Sequence, residues 1–285
     1  MTYTIDQELP VYTVKAFNYA TESSNEIHSD EVAGKFGYHG GLVPGVGVYA
    51  YMTVPIVKAL GEEWLTRGSM SGKFINPVYD GETVSVHAKV INTDHLRFTV
   101  SAFNEAGQLC GIGEASLPDE HADEIHIYDY PLAHTPMENE RLPADIAQIS
   151  EDHVLGTLEF NYNAGDFEGE SGKFLEDMRD SQELYVGADG LMHPALLPHQ
   201  ANQILVRNVA LGPWIHTASD VRHHALPNPG ELLSLRGKIA HAYEKRGHDI
   251  AVMDLALLGD EERLITHLTH TAIIRPAFIK EEQQT

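Results

Sequence analysis

Cysteine, basic residues and long apolar runs are all scarce in this chain. The single cysteine, Cys110, allows no internal disulfide and no cysteine-based metal site. Within Gln108-Leu-Cys-Gly-Ile-Gly-Glu it reads as a packed strand residue. Lysine and arginine total 19 against 42 aspartates and glutamates, a formal net charge of −23. Such a balance argues against nucleic acid as a partner, because phosphates need a basic face, and it favours solubility. No segment approaches the roughly eighteen apolar residues of a membrane span, and the first residues, Met1-Thr-Tyr-Thr-Ile-Asp-Gln7, lack a basic start followed by an apolar run. The expectation is a soluble, cytoplasmic protein with no membrane partner. Neither a Gly-x-Ser-x-Gly elbow nor a phosphate-binding loop is present, and Gly45-Val-Gly47 is too short for a dinucleotide fingerprint.

What is present is a chain of 285 residues with an ordinary apolar fraction, long enough for two domains. A β-branched and aromatic run from Leu9 to Thr21 reads as a strand. Val43 to Leu65 carries apolar residues at helical spacing, with Pro55 as a kink or break and Gly61 as a stop. Strands follow at Met70–Ile75, Thr83–Ile91, Leu96–Phe103 and Leu109–Leu117. From Pro118 to Asp152 acidic residues, prolines and histidines dominate without an apolar period, which reads as a linker. The pattern restarts with a strand at Leu155–Tyr162. A polar stretch from Gly165 to Ser181, read as mobile, then precedes a loop and a second apolar helix running to Val206. Four strands finish the chain: Trp214–His223, Leu232–Tyr243, Asp249–Leu257 and Leu264–Arg275.

The two halves repeat each other. Glu82-Thr-Val-Ser-Val-His-Ala-Lys-Val aligns with Glu231-Leu-Leu-Ser-Leu-Arg-Gly-Lys-Ile at an offset of 149 residues, and Pro and Gly precede both copies. The same offset places Gly41-Leu-Val-Pro44 over Gly190-Leu-Met-His193, so the two helices begin at matching places. One helix followed by antiparallel strands, twice, implies two α+β units packed as an internal pseudo-dimer. His28 falls on Asp177 at this offset, where the surrounding pattern is not repeated.

The stretch Glu22 to Gly47 packs polar, glycine and apolar residues in an order that core packing does not require. A polar turn carries Ser23, Asn25 and His28, and a glycine-rich loop then opens into the first helix. A helix start leaves unpaired N–H groups at a positive dipole end, suited to an oxyanion or a carbonyl oxygen. The 17 histidines invite metal readings, but His267 and His270 lie three apart in a strand, on opposite faces, and no metal site is expected.

The run Asn25-Glu-Ile-His28-Ser-Asp30-Glu-Val-Ala33, with Phe36-Gly-Tyr38 and Gly41-Leu-Val-Pro-Gly45 behind it, resembles the MaoC-like (R)-specific enoyl-CoA hydratase and dehydratase branch of the hotdog-fold superfamily. The repeat resembles its double-hotdog members. The resemblance implies an α+β double hotdog: an N-terminal unit over 1–118 carrying the motif, an acidic linker over 119–152 and a C-terminal unit over 153–285. It also implies a lyase of fatty-acid metabolism acting on an acyl-CoA thioester, with coenzyme A as part of the substrate and no other cofactor; a homodimer is left open. His28 stands where the family has its acid/base, with Asn25 beside it. Gly45, Val46 and Tyr38 stand at the oxyanion and substrate-binding positions. Two positions depart from the pattern: the family aspartate falls at Ser23, and the histidine before the helix glycine falls at Pro44. Asp189 and His193 offer a second carboxylate and imidazole ahead of the second helix, which is similar to that of polyketide-synthase dehydratases except for Pro198 in place of their aspartate. A composite site of His28 with Asp189 or His193 is one expectation.

Three functions follow from this pattern. The first is hydration or dehydration of a 2-enoyl or 3-hydroxyacyl thioester, with Ser23 as the residue on which the chemistry turns. The second is an acyl-thioester-binding or structural protein with a degenerate site. The third is an acyl-CoA thioesterase, although the first helix carries no acid before Glu62.

Overall fold

The computed structural model describes residues 2–119, 125–162, 172–187 and 189–282. Strand β1 (Tyr12–Lys15) is shorter than the expected run, and the polar turn after it leads into helix α1 (Asp30–Lys35). Helix α2 (Gly45–Leu60) is buried at every residue from Val46 to Val57, as expected of a helix apolar on all sides. It runs through Pro55 unbroken and stops where Gly61 takes φ 64° and donates its N–H to Val57 O. Helix α3 (Glu62–Arg67) follows, and strands β2 (Ser69–Phe74), β3 (Thr83–Asn92), β4 (Arg97–Phe103) and β5 (Leu109–Ser116) wrap around α2. Alternation decides the inner face: Val84, Val86, Ala88 and Val90 of β3 and Phe98, Val100 and Ala102 of β4 are buried with the helix.

The second half repeats the plan with β6 (Leu142–Pro143), β7 (His153–Asn161), helix α4 (Gly172–Asp177), helix α5 (Leu196–Asn208), β8 (Val209–Ala210), β9 (Ile215–His223), β10 (Leu232–Lys245), β11 (His248–Leu258), β12 (Leu264–Arg275) and helix α6 (Ala277–Glu282). Ten strands form one antiparallel sheet in the order β1-β3-β4-β5-β2-β9-β12-β11-β10-β7. The order is palindromic about the β2–β9 pair, where Ser69 to Lys73 run against Arg222 to Ala218. This is the double hotdog: two helices, α2 and α5, each wrapped by half of a shared sheet.

Two expectations change. The supposed linker is strapped to the second half over its described residues, 125–152. Tyr130 is buried, its hydroxyl set between Asp254 and His267, and Ile149 is buried too. The Thr157 N–H of β7, the edge strand of the sheet, donates to Ala133 O and the Thr157 hydroxyl accepts the Ala133 N–H, so this segment covers an otherwise open edge. A few anchors and backbone pairing need no apolar period, which is why composition alone reads as a linker. The stretch read as mobile lies outside the described residues up to 171; beyond them it holds α4 and a turn. Among the described residues no helix is long and apolar enough to cross a membrane.

Candidate active site

The polar turn is built by short-range bonds. Ile27 buries its side chain almost completely and pins a single 3-10 turn, Glu26–His28, while the Ser29 hydroxyl caps α1 by accepting the Val32 N–H at 3.3 Å. The glycine loop is then drawn back over this turn. Asp30 Oδ1 accepts the Gly41 N–H at 2.7 Å, Leu42 N–H donates to Ile27 O, and Val43 N–H donates to Val78 O. Gly41 passes so close that an added Cβ would stand 2.0 Å from His28 O, which only glycine permits. The result brings His28 beside the start of α2.

The hydrogen bonds of His28 settle its protonation. Nδ1 lies 2.7 Å from Leu42 O, and a carbonyl can only accept, so Nδ1 carries the hydrogen and donates it. Nε2 is therefore a lone pair, and Asn25 Nδ2 donates to it at 3.3 Å. The Asn25 amide is oriented from the other half of the molecule: Nδ2 also donates to Trp214 O at 3.0 Å, and Oδ1 accepts the Trp214 N–H at 3.2 Å. Burial holds the His28 imidazole below its usual pKa, against an opposing pull from the Leu42 carbonyl. His28 is thus a neutral imidazole at neutral pH, with its basic Nε2 held by the Asn25 amide.

His28, Asn25, Tyr38 and Gly45 line one cleft of about 220 Å³. Ile27, Val43, Val48, Phe74 and Val78 give it an apolar wall, and Asn202, Trp214, His216 and Thr217 reach it from the second half. Among the described residues no carboxylate lines the cleft. Gly45 and Val46 are the first two residues of α2, so their N–H groups have no carbonyl one turn back to bond. Gly45 is fixed as glycine by its neighbours, since a Cβ there would stand 2.9 Å from His216 Nδ1 and 3.0 Å from the Phe74 ring. A base, the Gly45 end of a helix and an apolar wall in one cleft can hold a carbonyl oxygen and move a proton beside it.

Of the residues expected from sequence, Asn25, His28, Tyr38 and Gly45 meet here. The Val46 side chain is buried in the core and only its backbone N–H belongs to the helix start. Ser23 lies outside the cleft lining: it is exposed, and its hydroxyl donates to Asn25 O at 3.2 Å. The turn directs the chain outward before Asn25, so a side chain at this position does not enter the site. Asp189 is also exposed. His193 is buried, but its Nε2 meets Asp180 Oδ2 at 3.3 Å and its Nδ1 accepts the Ala195 N–H at 3.1 Å. Neither lines the cleft with His28, so the expected composite site is not formed. The second half contributes Trp214, His216 and Asn202 instead, none of which sits in a recognisable motif.

Solved structures carry the same architecture. A protein assigned as a MaoC-domain dehydratase from Chloroflexus aurantiacus J-10-fl matches 96% of this chain and 96% of its own at 10% identity and a TM-score of 0.64. A conserved protein from Mycobacterium tuberculosis with a double hotdog fold matches 95% and 96% at 14% identity and a TM-score of 0.61. A protein assigned as a thioesterase II from Thermobifida fusca YX covers 97% and 100% at 15% identity and a TM-score of 0.51. No family model and no curated protein sequence matches the chain. At these identities the likeness is one of fold, and dehydratases and thioesterases both use it.

Proposed function

We propose that the cleft adds water to, or removes it from, a 2-enoyl or 3-hydroxyacyl thioester, with coenzyme A as the carrier. The observation that carries this reading is the His28 imidazole, a residue of the cleft lining, locked with Nδ1–H on Leu42 O so that Nε2 is the basic nitrogen, which a water would take over from the Asn25 amide. In hydration, Nε2 takes a proton from a water as the hydroxyl oxygen bonds to C3. The electron pair of the C2–C3 double bond moves toward the thioester oxygen, where the Gly45 and Val46 N–H groups receive the charge. The imidazolium then returns its proton to C2, so water is added and the base is regenerated. One positioned acid/base contributes on the order of 10²–10⁴ in rate and one oxyanion donor roughly 3 kcal/mol. A site with one imidazole as its base and no carboxylate among its described lining residues thus keeps most of what the reaction needs.

A second reading rests on the same missing carboxylate. With a single base, water can be directed at the thioester carbon instead, which would make the protein a thioesterase. Incubation with crotonyl-CoA, following enoyl absorbance and free thiol together, separates them. Loss of enoyl absorbance without thiol is the expected result. Thiol release would replace hydration by thioester cleavage, and binding without either signal would leave an acyl-thioester-binding protein.

A further inference from the structure

His216 stands at the start of α2 with an unused nitrogen. The side chain is 6% exposed, and its Nδ1 is buried without a hydrogen-bond partner beside Gly45. The edge of the half-buried Phe74 ring packs against it, with centroids 4.8 Å apart. Its other nitrogen enters a buried chain: His216 Nε2 lies 2.9 Å from Ser219 Oγ, which lies 3.0 Å from His270 Nδ1, and the two imidazoles stack at 4.1 Å. His270 Nε2, at the far end of that chain, is also buried without a partner. An unpaired buried polar atom costs about 1–3 kcal/mol, so two at the ends of one chain call for a reason.

The direction of the chain supplies one. If His216 Nε2–H donates to Ser219 and Ser219 donates to His270, the stranded N–H is that of His270 Nε2, inside the sheet where no acceptor can arrive. If His270 Nδ1–H donates to Ser219 and Ser219 donates to His216 Nε2, the stranded N–H is His216 Nδ1, beside the cleft. Resting on the reading that a thioester lies at the start of α2, we infer that His216 is a further oxyanion donor, its Nδ1–H reaching the thioester oxygen alongside the Gly45 and Val46 N–H groups once the Phe74 ring yields. A neutral imidazole is what that task requires, because it donates without trapping the enolate as an enol. Burial, against a weaker pull from the Ala218 carbonyl, pushes the His216 pKa down to about 3, so the ring is uncharged at any working pH. The assignment also gives the second half a share in the chemistry, through a histidine that the first half does not repeat: the offset of 149 places His216 over Arg67, the last residue of α3.

Butyryl-CoA labelled with ¹³C at its carbonyl tests this, because it binds without reacting and its infrared carbonyl band reports polarisation. In the wild-type protein the bound band is expected below its position in water. His216→Phe is expected to lose a substantial part of that displacement and to lower kcat for crotonyl-CoA hydration about 10²–10³-fold with little change in KM. His216→Asn, which keeps an N–H near the Nδ1 position, is expected to restore most of the band displacement. A full displacement and unchanged kcat in His216→Phe would overturn the inference while leaving the thioester reading intact. Failure of butyryl-CoA to bind the wild-type protein would overturn both. Should the variants not fold, ¹⁵N spectra of the wild-type histidines decide: a protonated Nδ1 on His216 that shifts with butyryl-CoA supports the assignment, and a bare Nδ1 with protonated Nε2 refutes it.

Discussion

The starts of α2 and α5 occupy equivalent places in a palindromic sheet, yet they hold their polar groups in opposite ways. At α5 everything is spent internally. His193 pairs with Asp180, both nearly inaccessible, and accepts the Ala195 N–H, while the Leu196 N–H donates to His193 O. Burial opposes the Asp180 charge, but bonds from His193 and Gln182 outweigh it and hold the carboxyl below its usual range. At α2 the corresponding groups are held less tightly: a basic Nε2 on His28 met by the Asn25 amide at 3.3 Å, two helix N–H groups with no carbonyl one turn back and an unpartnered His216 Nδ1. The same scaffold therefore yields a closed helix cap in one half and an open site in the other, and an Asp–His pair by itself is not the mark of the site.

The largest effect that tests this contrast falls on His28. His28→Ala is expected to reduce crotonyl-CoA hydration by about 10²–10⁴-fold while leaving the thermal unfolding curve nearly unchanged. Asp180→Ala should do the reverse. It strands His193 in a buried setting, with an expected loss of about 1–3 kcal/mol in denaturant unfolding and no change in kcat. Loss of activity in a folded Asp180→Ala protein would mean that the closed end takes part in the chemistry after all.

Acid should act on the second half first. Burial lowers His199 to a pKa of about 4 and His216 and His223 to about 3, with His270 also far below its usual value. Each is neutral when folded and takes up a proton when unfolded at any pH between these values and roughly 6.5. The unfolded state then binds more protons, so stability is fully present above about pH 6.5 and falls as pH drops toward 4. Each imidazole contributes up to roughly 1.4 kcal/mol per pH unit across that window. His223→Phe should flatten the dependence by one proton, measured by urea unfolding between pH 7 and 4. An unchanged slope would show that His223 is already charged in the folded protein. For His28 the same direction means that hydration stays flat through neutral pH and declines only on the acid side.

The architecture was legible because it is written in local periods. An alternation of apolar residues set the strands, an all-apolar helix set the core, and the repeat at 149 set the pairing of halves. His28, Asn25 and Gly45 were legible because they sit within one short stretch, where Asp30 and Gly41 tie the turn to the helix start. The contribution of the second half was not. Asn25 and Trp214 are 189 residues apart and meet only because β2 and β9 join the halves into one sheet. No local pattern marks Trp214 or His216. The signal that was available, an isolated histidine at the head of a strand, fits a metal ligand or a packed ring equally well.

Asn25 measures how far the two halves must stay joined for the site to work. Asn25→Ala removes the paired amide on Trp214 and the donor to His28 Nε2 while leaving the Nδ1 lock on Leu42 O in place. The imidazole keeps its tautomer but loses one of its two constraints, so the expected loss is roughly 1.4 kcal/mol, or tenfold in kcat. A loss as large as that of His28→Ala would make Asn25 a direct participant, holding the attacking water itself.

The smallest effect belongs to Ser23, where the family resemblance places the missing acid. Ser23→Asp puts a carboxylate at that position, and if the position faced the substrate it would create a second base beside His28. The structure turns it away: Ser23 is exposed and its only described side-chain bond is to Asn25 O. The substitution should therefore change kcat by less than about twofold, since an exposed charge in water interacts weakly with a site it does not contact. A large gain in hydration would require the turn from Ser23 to Asn25 to fold inward when substrate binds, and it would move the acid of this site back to the place where the chain has none.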